Sequence, residues 1–365
     1  MAPKRATGLA AGITLGTPDP PGPQWHNGRV TAPGELLEWT EQGFYCAEGD
    51  FHVDPLRPVD RAVVTHCHSD HARPGSRHYL AASEGEAVLR LRVGEDASIQ
   101  TLPYGEFLKL GSVTVSLHPA GHILGSAQVR IAWRDQVWVV SGDYKTEPDP
   151  TCTPFEPVRC DVFVSESTFG LPIYQWPAPE SVYREINEWW RLNQAAGRTS
   201  VLFAYAVGKA QRVMAGVDSG IGPIFVHGAM TGMTEAYRRA GITLPPVSQV
   251  AAENGGFNWK EALVLAPPSA GRSPWLRRFG DLSSGFASGW MLVRGVRRRR
   301  SIDRGFVLSD HADWPGLLGA IEATGASRVL LTHGYAAQVA RFLREKRGIN
   351  AGVIEPAVTR EEEAE

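Results

Sequence analysis

The sequence predicts an α/β protein built of stacked layers, and three observations support that prediction. Apolar residues make up 43% of the 365 residues, which is enough for a substantial core. Short apolar runs, β-branched or alternating with polar residues, recur along the chain as strands do. Between some of them the hydrophobic period changes to that of a helix. Strands that alternate with helices are typical of sheets covered by helices.

The clearest helical pattern covers residues 180–196. Val182, Ile186 and Trp189 share one stripe there, and Gly197 follows as a stop signal, which predicts a helix of about four turns. A second helix is predicted to begin within residues 208–214. The predicted strands are residues 61–65, 113–117, 129–133, 137–140, 161–165, 201–206, 224–226, 262–266, 306–308 and 328–332, with a hairpin between the third and fourth.

Charge and cysteine content narrow the class of protein. The formal net charge is −2, so attraction to nucleic acid has to come from a local patch. The four cysteines form no C-x-x-C pair, which predicts a reduced, cytoplasmic protein rather than a disulfide scaffold. No apolar run is long enough to predict a membrane span. Residues 1–30 predict a disordered leader, and residues 359–365 a solvated acidic tail.

The strongest functional signal is the motif at residues 66–71, which reads His-Cys-His-Ser-Asp-His directly after a predicted strand. Side chains two residues apart in an extended segment point the same way, so His66 and His68 can hold one ion together. A helix is predicted to begin near Ser69, and it would present the last two residues of the motif to a second point nearby. Imidazole and carboxylate groups suit zinc, with manganese and iron as less favoured occupants.

Three later residues complete a candidate two-metal site. His122 lies in a Gly-His segment, Asp143 follows a strand within Ser-Gly-Asp, and His333 follows another strand within His-Gly. Each is a weak signal alone, because a lone histidine is more often a hydrogen-bonded structural residue. The flanking glycines let the backbone approach closely, which favours a site.

The order His-x-His-x-Asp-His, Gly-His, Ser-Gly-Asp and His-Gly resembles the metallo-β-lactamase superfamily over nearly the whole chain. The resemblance implies an αββα sandwich. It also implies that Asp54, in Phe-His-Val-Asp-Pro, orients the ligands from behind. The implied ligand sets are His66, His68 and His122 for one zinc ion, Asp70, His71 and His333 for a second, and Asp143 as the bridge. Manganese is an alternative occupant of one or both positions.

Further segments resemble the β-CASP nucleases, the branch that processes RNA and DNA ends. They are residues 165–170 with Glu166, residues 309–313 with His311, and the strand–turn–helix of residues 203–212 with Lys209. Because this branch inserts a second domain, the resemblance implies a compact β-CASP-like cap. The implied division is residues 31–170 and 305–358 for the metallo-β-lactamase domain and residues 171–304 for the cap.

The closest resemblance is to the bacterial ligase-associated DNA exonucleases, through residues 49–51, 54–55, 60–63 and 309–314. It implies a DNA exonuclease in DNA repair that hydrolyses terminal phosphodiesters with water activated by two metal ions. The implied substrate is DNA that is single-stranded or has a free end. The resemblance also implies functional association with an ATP-dependent DNA ligase and a helicase. The implied catalytic residues are Asp70, Asp143, Glu166 and His311, with His311 as general acid kept protonated by Glu166.

Basic residues supply the predicted contacts to phosphates. Lys209, beside a helix N-terminus, is predicted to meet one phosphate. Residues 272–304 contain nine arginines and two aspartates, interleaved with Trp275, Phe279 and Trp290, which suits a single strand with stacking bases. A solvated surface with the tryptophans in a core is the alternative interpretation. The densest run is Arg297, Arg298, Arg299 and Arg300.

Three other functions stay open. An RNA-processing β-CASP ribonuclease would use the same ligands, and His333-Gly334 is more similar to the last histidine motif of RNA-cutting members. A thioesterase or lactonase of the same fold would lack the Glu166 and His311 segments. A non-catalytic scaffold would not need the intact ligand set.

Overall fold

The framework of the protein consists of three β-sheets. In the computed structural model, residues 35–251, 256–295 and 302–354 are described. The first sheet has six strands, which lie side by side in chain order. They are β1 (Glu38–Thr40), β2 (Gly43–Cys46), β3 (Phe51–Val53), β4 (Arg61–Val63), β5 (His78–Ala82) and β6 (Ile99–Leu102). The first three pair antiparallel and the last four parallel.

The second sheet has seven strands in the spatial order β19-β18-β11-β10-β9-β8-β7. They are β7 (Phe107–Leu110), β8 (Val113–Pro119), β9 (Ala127–Trp133), β10 (Gln136–Val140), β11 (Val162–Glu166), β18 (Arg328–Thr332) and β19 (Asn350–Val353). Strands β9 and β10 form the predicted hairpin, and Arg134 turns the chain with a φ of 52°. Strands β10, β11, β18 and β19 are parallel, so their carboxyl ends meet at one edge.

The first two sheets pack face to face. Phe51 and Val63 of the first sheet share one buried cluster with Val115, Ile131 and Val164 of the second. Helix α1 (Glu86–Val93) covers the outer face of the first sheet, and helices α5 (Trp314–Thr324) and α6 (Ala336–Phe342) cover the outer face of the second. The layers therefore run helix, sheet, sheet, helix.

The third sheet is entirely parallel, with the spatial order β14-β13-β15-β12-β16-β17. Its strands are β12 (Thr199–Phe203), β13 (Ile224–Val226), β14 (Val247–Gln249), β15 (Leu263–Ala266), β16 (Leu282–Ala287) and β17 (Arg304–Phe306). Its helices are α2 (Pro179–Ala195), α3 (Lys209–Gly216) and α4 (Gly228–Arg239). Both faces are buried in apolar clusters, as parallel strands require. These strands and helices, with the described segments that connect them, are called the third-sheet unit.

The α/β class is confirmed, and most predicted elements are present. Two predictions are wrong. The strand predicted at residues 306–308 lies at Arg304–Phe306. Near Ser69 the chain makes a single turn, in which the Ala72 amide donates to the His68 carbonyl at 2.8 Å, and no helix follows. Pro74 explains the difference, because it lacks an amide proton and disfavours helical backbone in the residue before it.

The predictions about membrane spans and cysteines can be compared with the described residues. Within the described ranges, none of the helices combines the length and the apolar character that a bilayer span needs. Cys46, Cys67, Cys152 and Cys160 are all unpaired, as predicted. Three of them are buried, where they pack as small apolar side chains.

Candidate metal centre

Four loops bring the predicted ligands to one edge of the two packed sheets, and the end of a strand brings Glu166 to the same edge. The motif at residues 66–71 follows β4, and His122 lies between β8 and β9. Asp143 follows β10, Glu166 ends β11, and His333 follows β18. Strands β10, β11 and β18 are parallel neighbours, so their last residues are adjacent although they are far apart in sequence.

Three imidazole rings and one carboxylate form the inner group. His66 Nε2 and His122 Nε2 each lie 3.1 Å from His68 Nδ1. Asp143 Oδ2 lies 3.5 Å from His66 Nε2 and 3.8 Å from His122 Nε2. One ligand atom from each of the four residues falls within 4.8 Å of the others. This is the donor set of a tetrahedral metal site.

The outward contacts of these rings determine which nitrogen carries a proton. His122 Nδ1 lies 2.7 Å from the Asp310 carbonyl, and His68 Nε2 lies 3.3 Å from the Val207 carbonyl. A carbonyl only accepts, so both ring nitrogens donate and the inward-facing nitrogens hold lone pairs. Lone pairs that face each other at 3.1 Å repel unless a cation lies between them. The inner group therefore fits a divalent metal ion.

The second set of ligands lies beside the first and is more open. His71 Nε2 is 3.4 Å from Asp70 Oδ2 and 3.7 Å from Asp143 Oδ2, and the rings of His71 and His333 have centroids 5.7 Å apart. Among the described residues, His71 Nε2 is a buried nitrogen without a hydrogen bond. A buried polar atom left in this way fits a second ion, with Asp143 facing both sets.

Asp54 supports both sets from behind. Its carboxylate accepts from the Thr65 amide at 2.7 Å and from the Thr65 hydroxyl at 2.5 Å, and it lies 2.7 Å from His71 Nδ1. The Thr65 hydroxyl oxygen is in turn 3.0 Å from His66 Nδ1. One carboxylate thus fixes the ring orientation of a ligand in each set, as outer partners of metal ligands do.

Two glycines allow the strand ends to approach this closely. A Cβ atom on Gly142 would lie 2.6 Å from the Thr65 side chain, and one on Gly334 would lie 2.5 Å from the Ser167 carbonyl. Both residues have positive φ angles, 56° and 55°, which glycine adopts without strain. His333 itself has a φ of 58°, an uncommon conformation for a residue with a side chain.

Glu166 and His311 form a hydrogen-bonded pair next to the inner group. His311 Nδ1 lies 3.0 Å and 2.9 Å from the two Glu166 carboxylate oxygens, and the Tyr144 amide donates to Glu166 at 2.7 Å. The ring centroids of His311 and His122 are 4.7 Å apart. Burial alone would lower the pKa of His311, but Glu166 and then Asp143 raise it to about 9.

The electrostatics of the cage favour a bound cation. Burial, followed by neighbouring histidines, holds the pKa of His66 and His122 well below the usual value, so both rings are neutral ligands. Burial and the nearby Glu166 carboxylate raise the pKa of Asp143 to about 6. Crowded carboxylates of this kind are stabilised in their charged form by a cation between them.

Comparison with known proteins agrees with this geometry. The chain is 31% identical over 316 residues to a protein of Opitutus terrae named a probable DNA ligase, covering 86% of this chain and 30% of that protein. It is 29% identical over 191 residues to a ribonuclease of Thermus thermophilus, covering 45% and 44%. It is 28% identical over 207 residues to a transcription termination factor of Methanosarcina mazei, covering 46% and 32%. The chain belongs to the metallo-β-lactamase/β-CASP family.

The chain matches only part of each relative, and a solved structure shares its fold. This member of the family spans 30% to 44% of the length of the three relatives. No family model matches the chain. A protein of unknown function from Enterococcus faecalis shares the fold, with a TM-score of 0.55 at 12% identity, over 80% of this chain and 79% of that one.

A cleft of about 1070 Å³ opens in front of the cage of this family member. Its lining includes His68, Asp70 and His311 on the cage side. Trp290 is partly exposed on the wall of the cleft, and its ring packs against the buried Phe169 beside His311, with ring centroids 4.7 Å apart.

Lys209 begins helix α3, as predicted, but its ammonium already has a partner. The side chain is 3% exposed and forms a buried ion pair with Asp310. The phosphate contact was predicted for Lys209 from its position at the helix N-terminus alone, and that reasoning did not include the Asp310 carboxylate. Asp310 holds the cage as well, since its carbonyl accepts from His122.

Sequence reasoning missed a second buried ion pair in the same place. Arg212 Nε lies 2.6 Å from Asp149 Oδ2, and another Arg212 nitrogen donates to the Ser309 carbonyl. Arg212 therefore holds the backbone just before Asp310 and His311. The position of Arg212 one turn after Lys209 was the one signal for its role. Its partner could not be predicted, because Asp149 lies in a loop of the second sheet that carries no motif.

The arginine-rich stretch is only partly described. Arg297, Arg298, Arg299 and Arg300 lie outside the described residues, so their predicted contact with nucleic acid stays a prediction. Trp275 and Trp290 pack against an apolar cluster of the third-sheet unit that contains Phe279, which agrees with the alternative interpretation for the two tryptophans. Trp290 also lines the cleft.

Proposed function

We propose that this chain is a metal-dependent nuclease that removes nucleotides from the ends of DNA in DNA repair. The observation that carries the proposal is the position of the Glu166–His311 pair directly beside the inner ligand group, with the His122 and His311 ring centroids 4.7 Å apart. Hydrolysis of a phosphodiester requires an activated water on one side of phosphorus and a proton for the leaving oxygen. The two groups of residues can supply these two requirements.

Zinc is the proposed metal, with manganese as the alternative in one or both positions. The proposed holders of the first ion are His66, His68 and His122, those of the second are Asp70, His71 and His333, and Asp143, whose carboxylate lies near both sets, would serve both. Bound there, such ions lower the pKa of a water molecule towards neutrality and offset the charge on phosphate oxygens.

The proposed role of His311 is to donate a proton to the leaving oxygen. Both carboxylate oxygens of Glu166 face His311 Nδ1, which fixes the ring and favours its protonated form. Nε2 is then the other atom that carries a proton, and the ring lines the cleft. Glu166 is 3% exposed, and its contacts with His311, Thr168 and the Tyr144 amide lower its pKa and fix its position.

The third-sheet unit is the proposed compact cap of the β-CASP branch. It contributes Val207, whose carbonyl holds His68, and Trp290, which lines the cleft. Trp290, supported by the buried Phe169, would stack an unpaired base next to the scissile phosphate, so we propose a single strand or an unpaired end as substrate.

DNA is preferred over RNA on the basis of the relatives. The relative that aligns with 86% of this chain is named a probable DNA ligase, which supports a function coupled to DNA ligation. A ribonuclease is the second candidate, because a relative at 29% identity carries that name. The metal ligands do not discriminate between the two, because the 2′-hydroxyl is recognised elsewhere.

The test is cleavage of end-labelled single- and double-stranded DNA and RNA by the wild type, His68→Ala and His78→Ala. His78 is an exposed histidine whose ring contacts Ser98 away from the cage, so it is the matched control. We expect DNA cleavage by the wild type and the control and none by His68→Ala. Equal activity in all three proteins, or cleavage of RNA alone, would contradict the proposal.

A further inference from the structure

Three non-histidine cations line the cleft within the described part of the chain: Arg73, Arg92 and Lys209. The Lys209 charge is balanced by Asp310. The two arginines differ, because neither forms an ion pair with a carboxylate of the described residues. A guanidinium that is half-buried without a counter-ion is costly unless a ligand supplies the missing charge.

Both arginines lie close to the ligand cage. Arg92 is at the end of α1, and its Nε donates at 3.0 Å to the carbonyl of Cys67, which lies between His66 and His68 in the motif. Arg73 follows Asp70 by three residues, and its Nε is buried without a hydrogen bond among the described residues. Both guanidinium groups therefore border the cage on the side of the first sheet.

We propose that Arg73 and Arg92 form a phosphate anchor, which binds the backbone phosphate next to the one that is cleaved at the cage. The inference rests on the proposed nuclease function, since it assumes a strand in the cleft. A guanidinium matches phosphate oxygens with two parallel hydrogen bonds, and it stays charged at any pH where the protein folds.

Negative charges around the cleft explain why a phosphate anchor would be needed. Asp70 and Asp143 line the cleft at the cage, and without bound metal their carboxylates repel a polyanionic strand. Bound metal ions would offset that charge at the cage itself. The next phosphate along the strand passes the rim of the cage, where the anchor supplies the opposite charge.

The anchor predicts a change in how salt weakens binding. The probe is a fluorescein-labelled twelve-nucleotide oligothymidylate, and its anisotropy is measured with the metal-loaded full chain at increasing KCl. All variants also carry His311→Ala to slow cleavage, and a gel verifies that the probe stays intact. Losing one single-strand phosphate contact lowers the slope of log Kd against log salt by about 0.7. We expect this loss for Arg73→Gln/Arg92→Gln, with binding about tenfold weaker.

The matched control removes two charges from the same region without touching the cleft. Arg57 and Arg77 are exposed and do not border the cavity, so Arg57→Gln/Arg77→Gln should keep the slope. Arg92→Lys should keep it as well, because the charge remains. Probes with a 5′-phosphate, a 3′-phosphate or neither distinguish a terminal from an internal phosphate as the bound group. A loss confined to one end would also give the polarity of the enzyme.

The outcomes separate the anchor from the nuclease function. An equal slope in Arg73→Gln/Arg92→Gln and the control would overturn the anchor, and cleavage by the wild type in the same preparation would leave the proposed function intact. A wild type that neither binds nor cleaves the probe overturns both. Metal content is measured in each sample, and a fall in metal together with the slope would overturn the anchor in favour of a structural role.

Discussion

The two sides of the cleft hold their charged groups in opposite ways. On the cage side, ligand atoms face one another at 3.1 Å, and hydrogen bonds such as that of His122 to the Asp310 carbonyl hold the rings from outside. On the side of the third-sheet unit, Lys209 and Arg212 are each neutralised by a buried carboxylate. The cage side is arranged to receive a ligand, and the other side is arranged to stay fixed.

This difference shows how a charged residue near a site should be interpreted. A basic side chain can bind substrate only if the protein does not already balance its charge. By that criterion, Arg73 and Arg92 are stronger candidates than Lys209, although helix-terminus reasoning favours the lysine. The four predictions below test the comparison, beginning with the residue on the cage side whose loss should cost most.

His311→Ala should slow cleavage of DNA by about 10²- to 10⁴-fold, because the leaving oxygen would lose its proton donor. An aryl phosphodiester such as bis(p-nitrophenyl) phosphate has a leaving group that needs no proton. His311→Ala should therefore retain most of its activity on that compound, measured as p-nitrophenolate release. His68→Ala is the control and should lose both activities. If His311→Ala loses both equally, His311 acts as a ligand or a positioning residue instead.

Arg212→Met should lower the free energy of unfolding by about 3–5 kcal/mol, because it leaves the buried Asp149 carboxylate without its partner. Chemical denaturation followed by tryptophan fluorescence measures the change. The double variant Asp149→Asn/Arg212→Met should recover part of the loss. The exposed pair of Arg191 and Asp218 gives the control, and Arg191→Met should cost at most about 1 kcal/mol. Equal losses in Arg212→Met and Arg191→Met would contradict the structural role.

The cage was more predictable from sequence than the charges opposite it. In the cage, His66 and His68 are two residues apart shortly after β4, and the later ligands each follow a strand. Local geometry therefore determines most of the arrangement. The partner of Lys209 is 101 residues away, and no local pattern indicates which carboxylate a buried lysine will meet.

The missed secondary structure has similar causes. Strands β1 and β3 contain three residues each, which is too short for a period of two to be visible. Helix α4 contains two glycines and two threonines, residues of low helix propensity, and packing of Met230 and Tyr237 stabilises it instead. All three elements are stabilised by pairing or packing with neighbouring elements, which the pattern within each segment does not show.

Asp54→Ala should weaken metal binding about 10- to 100-fold, because His71 and Thr65 lose the carboxylate that fixes them. Competition with a chromophoric chelator measures the affinity. The second ion should be lost first, since His71 contacts Asp54 directly and His66 contacts it through Thr65. Asp60→Ala is the control, because Asp60 pairs only with surface arginines. Unchanged affinity in Asp54→Ala would mean that the ligands are fixed by their packing alone.

Cys67→Ala should have the smallest effect, although Cys67 lies between two ligands in the motif. Its side chain is buried with Val88 and Ile123 and is not part of the ligand group around His66 and His68. Burial also raises the pKa of the thiol to about 12, which disfavours a nucleophilic role. Loss of the sulfur should lower the free energy of unfolding by about 1 kcal/mol and leave metal content and cleavage unchanged. A fall in metal content would show that sulfur takes part in the cage. In that case a fifth donor would have to be added to the ligand set of three imidazoles and Asp143.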